Sequence, residues 1–192
     1  MTGRVRGVLA VVGVLGVVGV IAGPMAAAQN RPPGVPRGEI AIPVAPESNV
    51  ASSNGPLRQL QPGGPFRTAR GVVVLVSHGA RTTVRLHVTG VKPAGGTFGA
   101  HLHTGPCVAG DGAAAGPHYN TDAIAGRKPV RMDREREIWL DFTVSPTGAA
   151  TASTVVPFAP TPGNRSIVIH QEPTNSHGAA GPRLACLPLT WN

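Results

Sequence analysis

The 192-residue chain predicts an all-β domain, and three observations carry that expectation. Residues 83–89, Thr-Val-Arg-Leu-His-Val-Thr, alternate polar and apolar with period two, the spacing of a half-buried strand. Several short β-rich runs are divided by Gly/Pro turns, such as Lys92-Pro93-Ala94-Gly95-Gly96. Beyond the N-terminal segment nothing reads as a long helix. Many short strands with such turns fold as a β-sandwich or barrel.

Taken in order, the chain opens with Arg4 and Arg6, an apolar run over 8–22, and the small residues Ala26-Ala27-Ala28. That order reads as a signal peptide over 1–28, which makes the protein secreted or part of the cell envelope. The run is shorter than the ~20 residues that span a bilayer, and Gly13, Gly16 and Gly19 interrupt it. No stable membrane insertion is expected after cleavage; an uncleaved N-terminal anchor is the alternative. Residues 29–65 are dense in Pro, Gly, Ser and Asn without a sustained apolar period. Such a segment buries too little surface to offset its ordering entropy, so it reads as a flexible tether. The domain then runs over 66–192. Its strands are expected at 72–76, at 83–89 with Val84, Leu86 and Val88 on one face, and at 137–144, 150–157 and 166–170.

The formal net charge of +8 is mostly scattered arginine. Its densest stretch, 127–136, also holds Asp133 and Glu135 and has no interleaved aromatics, which argues against a nucleic-acid surface. A solvated basic face that attracts small anions fits better. Export favours joining the two cysteines, Cys107 and Cys186, with two buried free thiols as the alternative. The bridge would close a loop of roughly 80 residues, worth on the order of 4 kcal/mol.

The chain has seven histidines, and four lie in strings that belong together. His101 and His103 form an H-x-H, which on a strand puts both rings on one face. His118 and His170 complete a four-nitrogen set suited to copper or zinc. His87 falls on the polar face of its strand, His78 in a turn and His177 in a loop, all as solvated residues.

The strings Gly99-Ala100-His101-Leu102-His103, Gly116-Pro117-His118-Tyr119-Asn120, Ser166-Ile167-Val168-Ile169-His170 and Gly181-Pro182-Arg183-Leu184-Ala185-Cys186 resemble, in order, the copper-zinc superoxide dismutase family. The resemblance covers roughly 70–189. It implies an eight-stranded Greek-key β-barrel of the sandwich kind, with long active-site loops. It also implies one copper per chain on His101, His103, His118 and His170, and a Cys107–Cys186 disulfide. Arg183 would guide superoxide, and His118 would leave the copper on reduction and take a proton. The implied products are oxygen and hydrogen peroxide.

Two departures stand out. In the family the imidazole matching His118 also binds zinc, together with two further His and an Asp. Here no histidine lies between His118 and His170, and a gap-free count puts those zinc ligands on Gly126, Glu135 and Ile138. Only twelve residues, 171–182, separate His170 from Arg183, so the charged loop before the arginine is shortened. Both features resemble the copper-only branch, in which a carboxylate is thought to orient the bridging imidazole. Glu135 is the expected carboxylate, with Asp122 and Asp133 behind it, and zinc is expected to be absent. The leading function is an exported copper-dependent superoxide dismutase. The alternative is a copper-binding or metal-delivery module on the same fold.

Overall fold

The computed structural model describes residues 48–192. The signal peptide expected over 1–28 and the first part of the tether lie outside the described residues. The strands are β1 (Ser48–Pro56), β2 (Arg58–Gln59), β3 (Arg70–His78), β4 (Arg81–Thr89), β5 (Thr97–Phe98), β6 (Ala100–His103), β7 (Phe142–Thr143), β8 (Ala150–Val156), β9 (Gly163–His170) and β10 (Arg183–Trp191). One α-helical turn, α1 (Thr121–Ile124), follows β6. Two four-stranded antiparallel sheets form, in the orders β1-β3-β4-β8 and β2-β10-β9-β6, with β5-β7 as a small third ladder. The eight strands of the two main sheets match the expected number. Neighbours far apart in sequence, β4 with β8 and β6 with β9, give the connections their Greek-key character. Among the described residues the two ladders stay separate, so the architecture is a sandwich and not a closed barrel.

The alternation at 83–89 places Val84, Leu86 and Val88 inside, as expected. The run at 72–76 divides between faces: Val73 and Leu75 enter the core, whereas Val72, Val74 and Val76 face outward. Phe66, Phe98 and Phe142 close one end of the core, with Phe66 edge-on to the other two rings. The second sheet differs from the first. Ala100–His103 and most of β9 and β10 are buried on both faces, because long loops cover the outer face.

Residues 48–56 and 58–59, which fall in the stretch expected as a tether, are strands. Ser48–Pro56 pairs along its whole length with β3, and Arg58–Gln59 pairs with β10. The segment is polar, but strand formation here comes from an available ladder and not from intrinsic burial. Ala51, Leu57 and Leu60 are its buried anchors. As an edge strand, β1 tolerates Gly55 and Pro56 at its end.

Candidate metal centre

On β6, Ala100 and Leu102 face the core, so His101 and His103 turn to the outer, loop-covered face. β9 repeats the pattern, with Ile167 and Ile169 in the core and His170 on the outer side. His118 comes from the loop after β6, where an antiparallel bridge sets it against His103. One nitrogen from each of the four rings lies within 4.8 Å of the others.

The hydrogen bonds decide which nitrogen that is. His103 Nδ1 donates to Gly116 O at 2.9 Å, and His170 Nδ1 donates to Gly181 O at 3.0 Å. Both Nε2 atoms therefore carry lone pairs, and these face each other at 3.2 Å. His118 Nδ1 donates to Glu137 Oε2 at 2.9 Å, which leaves its Nε2 free. His101 Nε2 is held by Thr174 Oγ1 at 2.7 Å, and its buried Nδ1 has no partner. Four lone pairs thus converge in a largely buried space, and nothing among the described residues satisfies them. A cation is what such a set fits. With metal–nitrogen bonds of about 2.0–2.1 Å, a contraction of less than about 1 Å closes the set.

A second layer fixes these rings. Glu137 is 1% exposed and accepts from His118 Nδ1, from Trp139 Nε1 at 2.8 Å and, through Oε1, from Asn120 Nδ2 at 2.9 Å. Burial alone would raise its pKa, but these three donors hold it below the usual carboxylate range. Asn120 also caps α1 by accepting from the amides of Asp122 and Ala123. Asp122 sits beneath, between the guanidinium groups of Arg131 and Arg127. Hydrogen bonds from these two keep its carboxyl well below its ordinary value. Asp141 Oδ1 accepts from the Thr174 amide at 2.6 Å, so it steadies the residue that holds His101.

Of the expected residues, the four histidines come together. Glu135 does not join them: its side chain is 74% exposed and pairs with Arg136. Asp133 also pairs with Arg136, and Asp122 faces the arginines. The carboxylate on His118 is Glu137, because a bridge between Asn120 and Glu137 sets the register there. Glu137, Asn120, Trp139, Asp141 and Thr174 lie outside the expected set. A signal for three of the unanticipated contacts was present in the expected strand 137–144. Ile138, Leu140 and Phe142 point into the core, so Glu137, Trp139 and Asp141 must share the histidine face.

Arg183 starts β10 directly opposite His170. Its Nη2 donates to Gly116 O at 2.7 Å, the same carbonyl that holds His103, and its Nη1 donates to Gly112 O. Gly116 has a positive φ of 67°, and a Cβ there would lie 2.6 Å from Thr104 Oγ1. A glycine is thus required where the shared carbonyl turns inward. Cys107 and Cys186 are joined, with Cα atoms 5.6 Å apart, tying β10 to the loop that precedes His118.

Burial, reinforced by the neighbouring His118, pushes His101 far below its ordinary value and His103 down to about 2. Burial likewise lowers His170 to about 4. Each folded value lies below the unfolded 6.5, so under pH 6.5 the unfolded chain takes up protons that the folded site refuses. The metal-free domain is therefore expected to lose stability as pH falls from 7 to 5, by roughly 2 kcal/mol per buried histidine. Urea unfolding at the two pH values checks this; equal midpoints would contradict it.

No curated protein matches the sequence. A solved crystal structure of the clock protein EA4 superposes with a TM-score of 0.53, covering 77% of this chain and 96% of that one at 16% identity. At that identity the likeness bears on the fold alone. The sequence pattern of the copper/zinc superoxide dismutase family matches residues 69–187. That span contains all four converging histidines, both cysteines and Arg183, and the chain belongs to the copper/zinc superoxide dismutase family.

Proposed function

We propose that the protein is an exported copper-dependent superoxide dismutase that works without zinc. The observation that carries the reading is the Glu137–His118 hydrogen bond. It occupies Nδ1, the atom through which the matching imidazole of the family would meet zinc. Among the described residues the four histidines are the one group of three or more metal-ligating side chains, so no second set gathers beside His118 Nδ1. The disulfide supports an extracytoplasmic setting, since such bonds persist in oxidising compartments.

When bound, copper supplies a one-electron couple that takes one superoxide to oxygen and, with two protons, a second to hydrogen peroxide. The protein's part is electrostatic and positional. Arg183, beside His103 and His170, attracts and orients the anion. Glu137 holds the Nδ1–H of His118, so that Nε2 is the atom that gives up or accepts a proton.

The purified mature protein is expected to hold one copper and no stoichiometric zinc after exposure to both, by elemental analysis. Arg183→Ala should cut the second-order rate with superoxide about ten-fold, a loss of about 1.4 kcal/mol, with copper content retained. Arg183→Lys should recover part of it, because a point charge still attracts the anion. The wild-type rate should fall with ionic strength. One tightly held zinc beside the copper would overturn the zinc-free assignment. A copper-loaded protein no more active than chelated copper would favour the metal-delivery reading.

A further inference from the structure

Beside His118 lies a cavity of ≈ 550 Å³. Superoxide is diatomic, comparable to one water with its ~30 Å³ share of liquid volume. The cavity is therefore more than ten-fold larger than the proposed reaction needs, and it falls in the range that encloses organic ligands. Its wall is mostly apolar. Ile124, 49% exposed, and Met132, 48% exposed, stand with Val130 and Pro117 along it. Large apolar side chains left in water cost free energy that an apolar occupant would recover.

The polar groups at the inner end are unequal. Glu137 accepts from His118, Asn120 and Trp139, which takes three of its roughly four acceptor sites. Arg183 spends one N–H on Gly112 O and one on Gly116 O, which leaves three of its five without a protein partner among the described residues. Arg183 is half-buried, so its charge is partly stripped of water, which favours an anion beside it. The loop 121–136, which forms one wall, carries five cationic and three acidic residues. A cationic head group would meet a carboxylate already turned to three donors, beside the neutral side chains of Thr104 and His177, whereas an anionic one has a guanidinium.

From this pairing we propose that the cavity binds an amphiphilic organic monoanion, with its carboxylate on Arg183 and its apolar body along Ile124, Val130 and Met132. The thioether of Met132 adapts to variable chains, so the site selects a class and not one compound. A bound ligand would cover the approach to His118 and Arg183 and compete with superoxide. The proposal uses the metal centre only through the position of Arg183. It is measured on the metal-free protein, so its failure and that of the dismutase reading are separable.

The test is calorimetric titration of the metal-free, disulfide-intact protein with octanoate, acetate, octylamine and octanol, with methyl NMR on the same samples. Octanoate should saturate at one per chain and bind at least ten-fold tighter than each of the other three. Methyl shifts should concentrate at Ile124, Val130 and Met132. Ile124→Asp, at an exposed position, should reduce octanoate to the acetate level, and Arg183→Gln should reduce octanoate to the octanol level. Equal binding of acetate and octanoate would overturn the apolar half of the site. Equal binding of octanol or octylamine would overturn the anionic half, and no saturable octanoate binding would overturn both. Where a variant unfolds by circular dichroism, the wild-type ligand series decides alone.

Discussion

Breaking the Cys107–Cys186 bond, by reduction or by a Cys107→Ala/Cys186→Ala double variant, is expected to lower stability by about 4.5 kcal/mol. The bond spans 79 residues, so the unfolded chain regains the freedom of a long loop when it opens. For a domain of this size the loss corresponds to a melting temperature lower by about 15 °C. The native state loses too, since Cys107 and Cys186 pack with Leu60, Ala115 and Val168 in a small buried cluster on the loop-covered face. Arg58 adds a hydrogen bond to Cys107 O at 2.6 Å, which holds the same loop to β2.

That loop carries Gly112 and Gly116, whose carbonyls anchor Arg183 and His103. Opening the bond should therefore weaken copper retention as well as stability, which a remote staple would not do. Calorimetry with and without reductant measures the first effect, and competition with a copper chelator the second. Two free thiols per chain in the unfolded, unreduced protein would contradict the bond itself. An unchanged copper affinity in the double variant would show that the loop holds its shape through its hydrogen bonds with Arg58, Arg165, Ser166 and Arg183.

The convergence of the histidines was legible in the sequence from their spacing. A pair spaced two apart on a strand has to share a face, and His101 and His103 do. The inward set Val84, Leu86 and Val88 was legible for the same reason of period two. The strand β1 was not. Its sequence, Ser-Asn-Val-Ala-Ser-Ser-Asn-Gly-Pro, is polar, and only the free edge of β3 makes it a strand. Nor did the sequence separate the acidic residues of Asp133-Arg134-Glu135-Arg136-Glu137. A gap-free count against a related loop lands on Glu135, but the loop is tied down by other means. Arg127 and Arg131 converge on the buried Asp122, and Asn120 bridges to Glu137. Those contacts, 5, 9 and 17 residues apart in sequence, shift the register by two residues, which keeps the same face and changes which carboxylate arrives.

The two carboxylates can be told apart by substitution. Glu137→Leu leaves the N–H groups of His118, Trp139 and Asn120 buried without an acceptor. At about 1–3 kcal/mol for each stranded donor, the loss is on the order of 5 kcal/mol, which endangers folding. Glu137→Gln is the informative variant, because it keeps the shape. Its single carbonyl oxygen can serve His118 and Trp139 or Asn120, but not all three, and its amide then faces a donor. We expect it to fold with a loss of about 1–3 kcal/mol and to weaken copper affinity or activity by 10- to 100-fold. The bound copper's electron paramagnetic resonance spectrum should change, since His118 is no longer held at one angle. Glu135→Gln removes an exposed carboxylate whose partner, Arg136, also meets Asp133, so stability, spectrum and activity should all match wild type. The reverse outcome, a silent Glu137→Gln and a disturbed Glu135→Gln, would return the orienting role to Glu135. A silent result for both would mean that His118 is steered by the metal alone.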